Sequence, residues 1–137
     1  GGKVLVLGFS SEQINETQDM LLRNYVMRAF MKKGYSTVPI MAIEEFVLEK
    51  SFNVRRANRN DLKRLCAYFH ADYALSGSIE TRRKKLFVSV SLYQKDSEQY
   101  YSFIIPMGRV SEFQTYCPAL ARDIASKADT LIKGNKK

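Results

Sequence analysis

The chain has 137 residues, 45% of them apolar, with 22 Lys and Arg against 14 Asp and Glu and a formal charge of +8. That length holds one domain whose core needs no stapling, and it argues against two. No run reaches the roughly 18 apolar residues of a membrane helix, and the N-terminus lacks the charged head, apolar middle and small-residue cleavage site of a signal peptide.

Gly1-Gly2 stands directly before a strand and reads as a trimmed boundary, so residues 1–137 are expected to be a single domain cut from a longer chain, from which any export signal or lipid anchor could have been removed. "KVLVLGF", residues 3–9, is a nearly continuous apolar run of the kind found in a strand buried on both faces. A helix follows, with Asn15 or Thr17 as its cap and Leu21, Leu22, Tyr25, Val26, Ala29 and Phe30 recurring at helical spacing as far as Gly34. "YSTVPI", residues 35–40, predicts a second strand parallel to the first, ended at an edge by Pro39. A short helix over 43–49 buries Ile43, Phe46 and Val47, and the basic, Asn-rich "SFNVRRANRND" reads as a loop.

Asn60 is the expected cap of the next helix, whose apolar face is Leu62, Leu65, Cys66 and Phe69. "ADYALSGSIE" predicts a third strand over 71–80. In "KLFVSVSLY", residues 85–93, Leu86, Val88, Val90 and Leu92 alternate with Phe87, Ser89, Ser91 and Tyr93, as in a half-buried antiparallel strand. "QKDSEQ" supplies a turn and "YYSFIIPM" a fifth strand. The last helix carries Ser111 and Gln114 in capping-box register, then Phe113, Tyr116, Leu120, Ile124, Ala128 and Leu131 on one stripe, and ends at Gly134 before a frayed "NKK". The fold class is therefore α/β (α+β): a two-layer sandwich in the order β-α-β-α-α-β-β-β-α, with helices packed on a mixed five-stranded sheet.

Few residues carry chemistry. Cys66 and Cys117 are far apart, His70 is the lone histidine, and no metal-ligand spacing exists, so no metal or other cofactor is expected. A single Cys66–Cys117 disulfide is open, beside the plainer reading of Cys66 as a buried, inert thiol. Ser76-Gly77-Ser78 lacks the G-x-S-x-G pattern of a nucleophile elbow, and "LGFSSEQ" has neither a Walker motif nor GxGxxG to hold a phosphate. The cations fall in two clusters: Arg55, Arg56, Arg59, Lys63 and Arg64 around the third helix, and Arg82, Arg83, Lys84 and Lys85 in a turn. Facing one way, they would make a surface for phosphates, with Phe87 and Tyr93 as the aromatics able to stack a base or else lying under the final helix. Facing apart, they are a solvated turn and a polar helix face.

The segments "HADYALSGSI" and "LFVSVSLY", preceded by "KVLVLGF", "KKGY" and "STVP", resemble the small α/β domain at the N-terminus of TolB. The pattern is similar to the related periplasmic domains of curli-secretion lipoproteins (CsgG-like), penicillin-binding-protein activator lipoproteins and flagellar assembly proteins. It spans nearly the whole chain, centres on Ala71-Asp72-Tyr73, Ser76-Gly77-Ser78-Ile79 and Phe87 to Leu92, and departs from the family at the Lys95-Asp96-Ser97-Glu98 turn and in the heavier charge of "TRRKK". The resemblance implies a noncatalytic adaptor domain that binds other envelope proteins, located in the periplasm or at the outer membrane, with any lipid anchor outside this chain and no small-molecule substrate. The motif also has a purely structural reading. Ala71, Ala74 and Gly77 let a strand pass under packed helices, Gly77 tolerates a bend, and Asp72 can bind backbone where helix gives way to strand. The alternative function, drawn from the charge and from a broad likeness to the anticodon-binding fold of tRNA synthetases, is a basic nucleic-acid-binding domain.

Overall fold

The computed structural model describes residues 1–134, so the "NKK" tail lies outside the described residues. Five strands, β1 (Lys3–Ser10), β2 (Ser36–Thr37), β3 (Tyr73–Arg82), β4 (Lys85–Gln94) and β5 (Tyr100–Met107), form one mixed sheet in the order β2-β1-β3-β4-β5. β1 runs parallel to β2 and β3, whereas β3, β4 and β5 form an antiparallel meander. Four helices pack on it: α1 (Glu16–Lys32), α2 (Ile40–Glu49), α3 (Arg59–Phe69) and α4 (Phe113–Gly134).

The helices are divided between the two faces of the sheet, so the fold is more than two-layered where β1 and β3 run. Val4 and Val6 of β1 join the core beneath α1 and α4, while Leu5 and Leu7 join the core beneath α2 and α3. This explains why "VLVL" shows no alternation: both sets of side chains are buried. The strict alternation of β4 has the opposite cause. Val88, Val90 and Leu92 lie under α1 and α4, but of the opposite set only Tyr93 reaches the second core, and no residue of β5 does. Ser89, Ser91, Ser102, Ile104 and Pro106 therefore lie on a sheet face that no helix covers.

Local chemistry sets the boundaries. Asn15, not Thr17, caps α1: its Oδ1 accepts the Gln18 N–H at 2.8 Å while Gln18 Oε1 accepts the Asn15 N–H at 2.9 Å. Asn58 replaces Asn60 as the cap of α3, because the Asp61 side chain three residues on reciprocates at 3.0 Å, a partner that Asn60 lacks. The "SFNVRRANRND" loop contains a 3-10 turn, Val54–Arg56, and runs into the first turn of α3. A second 3-10 turn, Val110–Glu112, leads straight into α4, so Ser111 sits inside a helical turn and forms no capping box. β2 shrinks to two residues because Pro39 has no N–H to continue the ladder and becomes the cap residue of α2, which starts at Ile40, three residues earlier than its periodicity predicts.

Two glycines explain the register around β1. Gly8, at φ +138°, forms a bulge that shifts the pairing with β3, and the slip turns Phe9 onto the same face as Val4 and Val6. Gly77 faces the Phe9 ring: a Cβ there would stand 2.6 Å from Phe9 Cδ1 and 3.0 Å from the Ser89 carbonyl oxygen. The bend is thus in β1, and Gly77 supplies the room for it.

Candidate functional site

The "TRRKK" turn is a two-residue hairpin loop closed by the Arg82–Lys85 pair. Arg83 and Lys84 both have positive φ, +50° and +65°, as in the primed turns whose twist matches that of the strands. Such positions favour Asn and Gly; an L side chain bearing a Cβ costs about 1 kcal/mol at each. The hairpin thus holds two long cations where the backbone disfavours them. All four side chains from Arg82 to Lys85 are exposed, and none is in an ion pair among the described residues. The Arg82 guanidinium lies over the Phe87 ring at 5.6 Å. Beside the hairpin, Lys84, Lys85 and Arg109 line a recess of about 840 Å³ whose apolar wall includes Phe87, Pro106, Met107 and Val110.

The other cationic cluster is elsewhere. Arg59 stacks over Tyr93 at 5.6 Å and donates to the Glu98 carbonyl at 3.0 Å. Tyr93 and Phe87 are six residues apart on β4, roughly 20 Å, so Arg59 and Arg82 mark opposite ends of that strand. Neither ring lies under α4, because the residues of β4 beneath that helix are Val88, Val90 and Leu92. Lys63 bonds Glu98 at 2.7 Å, and the pair shifts both groups, the lysine upward and the carboxyl downward, through that hydrogen bond. Arg64 lies over Phe52 and 3.9 Å from Asp61. Arg55 lines a different crevice, and Arg56 shares its 3-10 turn. Among the described side chains, the sequence clusters therefore form no continuous basic face: one is partly neutralised and dispersed, the other is gathered at a tip.

The crevice, about 350 Å³, opens at the C-terminal end of β1, where the chain turns to β2 on one side and reaches β3 on the other. In open α/β sheets this is the usual place for a ligand. Here Asp19, Arg23 and Ser11 already bond within the fold, although the buried Arg23 Nε has no partner among the described residues. Asp19 Oδ1 accepts the Phe9 N–H at 2.6 Å; burial pushes its carboxyl above the ordinary carboxylate range, against the pull of that bond and of Arg23. Arg23, only 2% exposed, pairs with Glu44 of α2 and donates to the Val6 carbonyl at 3.2 Å. Ser11 Oγ donates to the Ile79 carbonyl at 3.1 Å. The set is a strut joining α1, β1 and α2. Sequence reading missed it, although the i,i+4 pair Asp19–Arg23 beside the Leu22–Val26 stripe was the available signal.

Cys66 and Cys117 are free thiols and form no disulfide. They belong to the cores on opposite faces of the sheet, Cys66 under α3 and Cys117 under α4, so the sheet separates them. Burial raises their pKa to about 12 and about 11 respectively, which leaves both thiols protonated and unreactive at neutral pH. His70 ends α3 in the left-handed conformation, φ +54°, with its side chain exposed. Asp72 Oδ2 accepts the Lys3 N–H at 2.8 Å and so ties the start of β3 to the start of β1, while Ala71 and Ala74 are fully buried under the helices. Among the described residues, no group of three or more His, Cys, Asp or Glu side chains is placed to hold a metal ion, and no helix is long and apolar enough to cross a membrane.

The second surface of interest is the outer edge of β5. β5 is the last strand of the sheet, so the backbone groups on its far side have no strand partner. Ile104 is 49% exposed and Tyr100 38%, side by side with Ser102 on the uncovered face.

No family model matches the sequence, and no curated protein matches it either. Solved structures do match. The LpoB C-terminal domain from Salmonella enterica superposes with a TM-score of 0.62 at 12% identity, covering 80% of this chain and 84% of that one. The LpoB C-terminal domain from Escherichia coli gives 0.59 at 12% identity with the same coverage. Lipoprotein GNA1162 from Neisseria meningitidis gives 0.56 at 14% identity over 91% of this chain and 97% of that one. The fold is shared with the LpoB C-terminal domain and with lipoprotein GNA1162. At these identities the likeness is one of fold, and it agrees with the resemblance carried by residues 71–79 and 87–92.

Proposed function

We propose that the chain is a noncatalytic adaptor domain of the bacterial cell envelope, periplasmic or outer-membrane-associated, which binds a protein partner along β5. One observation carries the choice of surface: the outer edge of β5 is unpaired and adjoins the one sheet face without helices. An extended segment added there would take main-chain hydrogen bonds from Tyr100–Met107 and read Tyr100, Ser102 and Ile104 by side-chain contact. Pro106 limits pairing near one end, as edge strands require. The envelope setting is supported by the shared fold with a neisserial lipoprotein and with LpoB, together with the sequence resemblance to periplasmic activator domains. A noncatalytic reading is supported by the strut at the end of β1, where Asp19, Ser11 and the two terminal nitrogens of Arg23 are bonded within the fold.

The test is a photoactivatable residue at Ser102 in the full-length protein in its native cells, compared with one at the exposed Arg122 of α4. The expected result is recovery of the protein with the periplasm or membranes, and a discrete adduct from position 102 only. Recovery in the cytosol, or the same adducts from both positions, would overturn the reading. The nucleic-acid alternative is not adopted, since the two cationic clusters diverge and the Phe87 and Tyr93 rings are each covered by an arginine.

A further inference from the structure

The hairpin end is not used by the β5 edge, and its make-up points to a different ligand. β1 stops opposite Ser78, whereas β3 continues to Arg82, four residues further. The β3–β4 hairpin therefore projects roughly 13 Å past the neighbouring strand. At its tip stand Arg82, Arg83, Lys84 and Lys85, joined by Arg109 from the segment after β5. Glu80, opposite Phe87 in register, is set back along the strand.

We propose that this end of the molecule docks on an anionic phospholipid surface, with the five cations meeting phosphates and the Pro106, Met107 and Val110 side chains of the recess meeting the acyl boundary. Three observations favour a lipid surface over an acidic protein segment or a nucleic acid. First, cations and apolar groups occur together at one projecting tip: the recess has lysines and an arginine at its rim and Pro106, Met107 and Val110 in its wall, the pairing of charge and burial that interfacial binding needs. Second, apart from the stacking of Arg82, none of these cations is held by a hydrogen bond or ion pair among the described residues. Loose charges suit a diffuse layer of headgroups, whereas a defined peptide or nucleic acid is read by fixed donors. Third, Arg82 occupies one face of the Phe87 ring, where a base would otherwise stack. The positive φ of Arg83 and Lys84 agrees with this, since the turn keeps charge at the two positions where Asn-Gly would fold more easily.

The test is co-sedimentation of the folded chain with vesicles of phosphatidylcholine alone or with roughly one third phosphatidylglycerol. Binding to the anionic vesicles is expected at about 50 mM salt and should weaken at least tenfold at about 300 mM. Arg82→Ser, Arg83→Ser, Lys84→Ser and Lys85→Ser together should lower it by a further factor of about ten or more. Arg55→Ser, Arg59→Ser, Lys63→Ser and Arg64→Ser, which remove the same charge elsewhere, should change it less than about threefold. Met107→Ser with Val110→Ser should weaken binding while leaving its salt dependence intact. The proposal is overturned if neutral vesicles bind equally well or anionic vesicles do not bind. It is also overturned if both four-charge variants fall alike, or if polyglutamate or single-stranded DNA is bound more tightly than anionic vesicles. A circular-dichroism melt of each variant confirms that it is folded, and the two four-charge variants leave β5 untouched.

Discussion

The two halves of the sheet are built to different rules. Around β1 and β3, helices cover both faces, side chains of both parities are buried, and even polar groups such as Arg23 and Asp19 are tied into the framework. Around β4 and β5, one face is core and the other presents serines, Ile104 and Tyr100 beside a free edge, with a cationic tip at the end. The difference teaches where recognition can be sought. A strand buried on both faces is constrained everywhere by packing, whereas a half-covered strand leaves alternate positions free for a partner.

Paired substitutions test that contrast most directly. Leu7→Ala, in the doubly covered half, should cost about 3 kcal/mol, while Ile104→Ser, on the bare face, should stay within about 0.5 kcal/mol. Urea titration measures both, and comparable losses would show that the bare face is packed after all. Gly77→Ala comes next at about 2 kcal/mol, since the new methyl meets a fully buried Phe9 ring and a backbone carbonyl that have no room to yield.

A smaller effect, beside β2, is read through pH. The Tyr35 hydroxyl donates to Asp129 of α4 at 2.6 Å, and Lys133 holds the other carboxylate oxygen at 3.0 Å. Burial raises the Asp129 pKa, but the hydrogen bonds from Tyr35 and Lys133 outweigh it and leave the pKa lowered. A lowered carboxyl pKa stabilises the fold above the unfolded value, near pH 4, and that contribution is lost as pH falls through the folded value. Tyr35→Phe should therefore cost about 1 kcal/mol at pH 7, and the gap to the parent chain should narrow below about pH 4. Comparable in size but opposite in sign, Arg83→Asn with Lys84→Gly should stabilise the hairpin by about 1 kcal/mol by relieving its positive-φ positions. Finally, reductant should leave the melting temperature unchanged, because Cys66 and Cys117 are unbridged.

Much of the architecture was legible from local pattern. The 3.6-residue stripes of α1, α3 and α4 and the alternation of β4 record which face each element buries. Short-range chemistry was legible too, where it was reciprocal: Asn58 and Asp61 form a capping box that the lone Asn60 cannot. β2 was overestimated because "YSTVPI" has strand composition, yet Pro39 withdraws the N–H that a longer ladder needs. The candidate site was legible only in part. The tip residues Arg82 to Lys85 stood out as a charge run, but their separation from Arg59 depended on where α3 crosses the sheet.

By itself, then, the sequence determined the element order, the buried stripes and the cationic turn, because each depends on residues a few positions apart. The tertiary structure alone decided the rest. A single bulge at Gly8 chose the face of Phe9, the sheet placed the two thiols on opposite sides, and the helices stopped short of half of one sheet face. These outcomes depend on contacts between segments distant in the chain, which local periodicity does not encode.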